Sequence, residues 1–302
     1  MPTTPDRHTL TALFVTLLWS SSWVLIRVGL DHGDGLAPLT FAGLRYSFAA
    51  VVLWGAIGVQ HQRPGSARGP AWAPGELRGL IVLGVVVYAL TQGAQFVAIA
   101  RQPAATTSLV LSLTPLLVGV VSRRTLGEHA SPGQFVGAAL VATGAAVYFA
   151  GGLGATAVGL AAAVVGLVAN VAGSVLGRQV NRTAGRRPVV VTAVSMSVGA
   201  VLLVVTGLAV EGVPHPSGRT IVIVAWLAVV NTALAFTLWN LALRHLSAVQ
   251  SAGINNLMLI QIAALAWVFL DEPLGVAGVL GVVLVSAGVW LTQGVSPGST
   301  SP

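Results

Sequence analysis

The sequence predicts an all-α integral membrane protein: ten transmembrane helices built as two inverted five-helix repeats. Three observations point there. Of the 302 residues 55% are hydrophobic and only 8% are charged, against roughly 25% charged in an ordinary soluble domain. Apolar runs of a length that crosses a bilayer recur along the whole chain. A glutamate-led, glycine-punctuated segment occurs twice at a fixed spacing.

The first apolar run, Leu10 to Ile26, has the length of a span and is followed by many more, so it reads as an uncleaved first helix rather than a secretory signal. A window of about 20 residues per span places helices near 9–30, 37–59, 77–100, 104–122 and 131–150. A second set follows near 154–176, 188–210, 220–243, 247–270 and 274–294. The punctuation between them is chemically sensible: Asp31 to Gly35, Gln60 to Gly75, Arg101 to Pro103, Gly151-Gly152 and the basic Arg178 to Pro188 segment read as turns or loops. Lipid admits only helices or closed barrels, and runs of this length without period-two alternation are helices.

Every basic residue is arginine, and the net charge is +7. With the N-terminus inside, eleven arginines fall on the inner side (Arg7, Arg63, Arg68, Arg78, Arg123, Arg124, Arg178, Arg182, Arg186, Arg187 and Arg244) and three on the outer (Arg27, Arg101 and Arg219). That bias predicts an even number of spans in the cytoplasmic membrane with both termini cytoplasmic. Arginines in short loops set orientation, so nucleic acid is not an expected partner; the lipid bilayer is. There is no cysteine, which removes disulfides and thiolate chemistry together.

The repeated segments are TLGEHASPGQFVGAALVATGAAVY (125–148) and FLDEPLGVAGVLGVVLVSAGVW (269–290), whose glutamates, Glu128 and Glu272, lie 144 residues apart. The same shift pairs Gly137 with Gly281 and Gly144 with Gly288, and upstream Ala89 with Ala233 and Leu90 with Leu234. Five helices per repeat force the second copy to enter the membrane from the opposite face, so the halves are expected to be inverted. Each glutamate precedes a helix start, with Ser131-Pro132 in one half and Pro273 in the other. Helix capping is the plainer reading of the pair, since an acid is stabilised at a helix's positive end, and gating or proton sensing at the two mouths is the sharper one.

The stretches LLWSSSWVLIRVGL (17–30), PLTFAGLRYSFAAVVL (38–53) and SLVLSLTPLLVGVVSRRTLGE (108–128), with the two glutamate-led helices, resemble the drug/metabolite transporter superfamily, in its ten-helix EamA branch. The resemblance covers about residue 9 to residue 293. It implies a secondary transporter, an exporter or facilitator of small metabolites or drug-like solutes by alternating access, with one EamA-like repeat at 9–150 and a second at 154–294 around a central cavity. One departure stands out: the fourth span carries Thr114-Pro115 where the ninth carries Met258-Leu259, so any kink there is expected to be asymmetric.

Polar residues inside the runs are the candidates for touching a small-molecule solute. The first span offers Trp19, Ser20, Ser21, Ser22 and Trp23; aligning Arg27 with Arg178 sets Asn170 opposite Trp19. The third adds Tyr88, Gln92 and Gln95, which share one face at α-helical spacing. The fourth adds Ser108 and Ser112, the eighth Asn231, Trp239 and Asn240, and the ninth Asn255, Asn256 and Gln261. Buried amides in hydrocarbon must find partners, either a neighbouring helix or a cavity, and both readings stand for this set. Arg45 lies about 12 Å deep in the second span at 1.5 Å per residue. It suits either a solute carboxylate or, as the resembled family's general arginine at this place implies, pairing with backbone carbonyls and polar neighbours.

None of the ten runs carries Asp, Glu or His in its interior. A transmembrane proton relay usually shows such groups. Facilitated diffusion or exchange is therefore expected, with proton coupling possible only through Glu128 or Asp271-Glu272. There is no HExxH, GxSxG or P-loop, and Ser20 to Ser22 have no in-span base to activate them. No catalytic residue, metal ligand or cofactor is expected. The alternative to a transporter is a non-transporting membrane scaffold or sensor, which would be expected to carry a larger soluble part than a loop of about 16 residues.

Overall fold

In the computed structural model the described residues are 6–30, 36–62, 75–102, 107, 110–111, 113–125, 131–148, 156–183, 187–270 and 276–293. They form helices and no strand: α1 Arg7–Leu30, α2 Pro38–His61, α3 Glu76–Leu83, α4 Gln92–Arg101, α5 Thr114–Thr125 and α6 Pro132–Tyr148. These are followed by α7 Ala157–Thr183, α8 Pro188–Glu211, α9 Gly218–Ala228, α10 Ala235–Ala242, α11 Ala248–Leu270 and α12 Val276–Gln293. Among the described residues six stretches are long and apolar enough to cross a membrane: Arg7–Ile26, Pro38–Gln60, Glu76–Ala98, Ala157–Arg182, Pro188–Glu211 and Gly218–Ala242. Large apolar side chains such as Val210, Val222, Trp226 and Trp290 face outward, the surface a bilayer covers.

Two of the expected helices are not regular. The chain is π-helical over Gly84–Thr91, between α3 and α4, and over Val229–Leu234, between α9 and α10. Threonine hydroxyls brace both stretches: Thr91 Oγ1 donates to Val86 O and Thr232 Oγ1 to Leu227 O, each at 2.8 Å and each five residues back. The fourth and ninth spans also differ, since α5 begins at Thr114 with Pro115 in its first turn, while α11 runs unbroken. Proline fits a first turn but breaks a helix interior.

Helix starts are fixed locally. Asp6 Oδ1 accepts the amides of His8 and Thr9 at 3.0 and 2.7 Å, capping α1. Ser131 with Gln134 and Ser247 with Gln250 form reciprocal capping boxes ahead of α6 and α11.

Two close helix pairs organise the rest. Helices α2 and α8 pack antiparallel, with Gly43 against Val204 and Gly207 against Thr40, and are tied near both ends. Glu211 accepts bonds from Leu39 and Thr40 at one end, and Arg187 Nη1 donates to Gln60 Oε1 at 2.9 Å at the other. Helices α6 and α12 meet through glycine: a Cβ on Gly144 would lie 2.7 Å from Val285 N and 2.8 Å from Gly281 O, and one on Gly288 would lie 2.5 Å from Gly137 O. Small residues at such seams let backbones approach, and dispersion between them replaces a hydrophobic drive that lipid does not supply.

Candidate functional site

An aromatic cluster lies where α1, α2, the Gly84–Thr91 stretch and α10 converge. The Trp19 ring is 4.8 Å from Phe236 and 5.1 Å from Trp239, centroid to centroid. Phe236 continues to Tyr88 at 4.9 Å and to Tyr46 at 6.1 Å, and Tyr46 meets Tyr88 edge-on at 5.6 Å. These are the separations at which rings attract beyond their area burial. Tyr46, Tyr88 and Phe236 are buried; Trp19 and Trp239 are half-buried. Trp19 Nε1 is buried without a hydrogen-bond partner, an orphan donor that a native interior rarely tolerates unless a water or ligand meets it.

Arg45 borders this cluster with its Cζ 5.7 Å from the Tyr46 ring centroid. Buried in the second span, it donates from Nε to Thr232 Oγ1 at 2.6 Å and from Nη2 to Asn231 O at 3.2 Å. The Asn231 side chain reaches α1, donating to Leu18 O and, at 2.9 Å, to Ser21 Oγ. A second polar chain runs beside the rings. Asn181 Nδ2 donates to Asn240 Oδ1 at 2.8 Å, and Asn240 Nδ2 to Thr192 Oγ1 at 2.9 Å; the Tyr88 hydroxyl faces Ser195 and Asn240. Full satisfaction of such groups rigidifies a core, yet Asn181 Oδ1 and Asn231 Oδ1 stay without partners.

The sequence candidates divide as follows. Trp19, Trp239 and Tyr88 come together in the ring cluster, with Arg45 at its edge. Gln95 packs at Gly166 of α7, one turn from half-buried Asn170, and Gln92 is half-buried in the same rod. Tyr88 sits in the π-helical stretch and is buried, while Gln92 and Gln95, in α4 beyond it, are half-buried. Ser22 donates to Trp19 O at 2.6 Å within its own helix. Ser20 and Gln261 tie α1 to α11 at 2.9 Å, and Asn255 is half-buried on α11. The side chain of Asn256, along with Glu128, Glu272, Ser108, Ser112 and the side chain of Trp23, lies outside the described residues. Tyr46 and Phe236 escaped the sequence reading because nothing distinguishes an aromatic facing a partner from one facing lipid; the signal available was their adjacency to Arg45 and their place one turn past Thr232.

At the start of α1, His8 stacks on His245 with centroids 3.7 Å apart. Desolvation lowers the pKa of the His245 imidazole from its ordinary value, and the neighbouring His8 and Arg7 lower it further. No group of three or more His, Asp or Glu side chains suited to a metal occurs among the described residues.

Comparison with known proteins agrees with this architecture. The model of the EamA-like transporter family matches twice, over residues 8–150 and 157–293. The uncharacterized transporter YoaV of Bacillus subtilis (strain 168) is 25% identical over 286 residues, which cover 92% of this chain and 93% of that one. A solved crystal structure with 21% identity superposes with a TM-score of 0.77, covering 96% of this chain and 98% of its own, and shares the fold.

Proposed function

The chain belongs to the EamA-like transporter family, within the drug/metabolite transporter superfamily, and from that premise we propose that this multi-pass membrane transporter is a secondary carrier of small, largely uncharged or amphipathic solutes. The observation that carries the reading is the double family match, one copy in each half of the chain. In this reading the chain has two inverted five-helix units, ten spans and cytoplasmic termini, an arrangement that the double match and the eleven-to-three arginine bias support. The α6–α12 contact supports the inversion: Gly144 meets Gly281 and Gly288 meets Gly137, the reciprocal pairing that a twofold relation between antiparallel helices gives.

Solute is held between the halves, at the ring cluster and the amides beside it. Trp19 and Trp239 supply apolar faces. Trp19 Nε1 supplies a free donor to a solute oxygen, and half-buried Gln92, Gln95, Asn170 and Asn255 supply adaptable donors and acceptors. Alternating access then rocks one unit against the other about that site. Without a carboxylate or imidazole in the span interiors, the carrier works by facilitated diffusion or exchange, and Glu128 and Glu272 act as caps or gates at the two mouths.

The test compares metabolites inside and outside cells carrying the wild type, a Trp19→Ala/Asn170→Ala variant at matched membrane levels, or an empty vector. One solute class shifts with the wild type and returns to the vector level in the variant. Identical profiles for wild type and vector would leave a scaffold or sensor as the better reading. In vesicles, transport of that solute survives collapse of the proton gradient; loss of concentrative transport would contradict the uncoupled mechanism.

A further inference from the structure

The π-helical stretches Gly84–Thr91 and Val229–Leu234 occupy matching places in the two halves. The spacing that relates Glu128 to Glu272 carries Tyr88 onto Thr232 and Leu90 onto Leu234. Both are braced alike from within, by a threonine hydroxyl on the carbonyl five residues back. Both are also crossed by a helix of the opposite half, and the crossing residues hold equivalent positions: Arg45 is the eighth residue of α2 and Ser195 the eighth of α8.

The two braces differ in strength. Arg45 places two charge-assisted hydrogen bonds on the Val229–Leu234 stretch, through Thr232 Oγ1 and the Asn231 carbonyl. Ser195 donates its own proton to Val191 O at 2.6 Å, so its hold on the other stretch is the Tyr88 hydroxyl and backbone packing against Gly84. A π-helical stretch is a place where a helix bends with its backbone still bonded, since the same residues can re-form i→i−4 bonds by slipping one position.

We infer that the two stretches are the paired bending points of the transport cycle, and that Arg45 is a positioning residue that holds the Val229–Leu234 stretch in its π form. The role of these points in transport rests on the transporter reading above. One helix bends as its counterpart straightens, and the guanidinium makes the second bending point the stiffer of the two. This gives the buried charge a task within the protein: it binds a carbonyl and a hydroxyl of the irregular stretch.

Amide hydrogen exchange on the full chain in lipid nanodiscs tests this without any cargo, so its outcome is independent of whether a transported solute is found. In Arg45→Gln the amides of residues 229–235 exchange roughly tenfold faster than in the wild type, as loss of hydrogen bonds to a charged group implies. Residues 84–91 keep their rates, and Arg45→Lys restores part of the protection. Thr232→Val removes the Arg45 Nε acceptor and the Leu227 brace together and gives the same local rise, which keeps the test open if Arg45→Gln does not fold. Unchanged exchange at 229–235, or a rise spread evenly over α2, α9 and α10, would overturn the inference.

Discussion

The carboxylate of Glu211, the last residue of α8, accepts the backbone amides of Leu39 and Thr40 in the first turn of α2 at 2.8 and 2.7 Å, and the Thr40 hydroxyl at 2.7 Å. Ala37, at the N-cap of α2, makes no side-chain cap bond, so the cap comes from a helix 171 residues away in sequence. An acid there meets both the free amides and the positive end of the helix.

Replacing Glu211 with alanine therefore costs about 1–2 kcal/mol, the range for losing a cap. Glu211→Gln costs less, because its amide oxygen still accepts one bond. Thermal unfolding of the purified protein in detergent reads both, and an alanine variant with the wild-type midpoint would contradict the assignment.

The glycines separate into two classes. A methyl on Gly144 or Gly288 drives α6 and α12 apart and costs about 1–3 kcal/mol, the range for overpacking. At Gly55 and Gly58 of α2 an added methyl would meet nothing within 4 Å. Alanine at either is neutral or gains up to about 1 kcal/mol from helix propensity. Expression level and unfolding midpoint distinguish the two classes, and equal effects in both would refute the close approach of α6 and α12.

The His8–His245 stack gives a pH dependence of definite sign. The His245 pKa is lowered in the folded protein, so above the unfolded value the imidazole is neutral in both states and folding carries no penalty. As pH falls through about 6.5 the unfolded chain takes up the proton first, and the folded state loses stability. The effect is small because His245 is exposed. The unfolding midpoint drops between pH 7 and 5 in the wild type and less in His245→Gln; equal slopes would show that the imidazole is not the group responsible.

The helices were legible because a bilayer imposes about 20 apolar residues on each crossing, whatever else the chain does. The capping boxes at Ser131 and Ser247 lie in short local patterns and are readable in the same way. The π-helical stretches were not, since hydropathy records which residues meet lipid and says nothing about which carbonyl an amide chooses. Glu211 falls just past an apolar run in the sequence, and its partners are set by how α2 and α8 pack. Arg45 showed its depth but not its partners, and Phe236 joined the ring cluster through a packing choice that one more aromatic in an apolar run does not reveal.

If solute is held as proposed, Gln95 and its neighbours line a site that opens to each side in turn. The chain contains no cysteine, so Gln95→Cys introduces a single thiol without further engineering. A membrane-impermeant thiol reagent applied to right-side-out and inside-out vesicles measures its access. Modification is expected from either side, with reaction from one side blocking later reaction from the other. Modification from one side alone, or from neither, would contradict it.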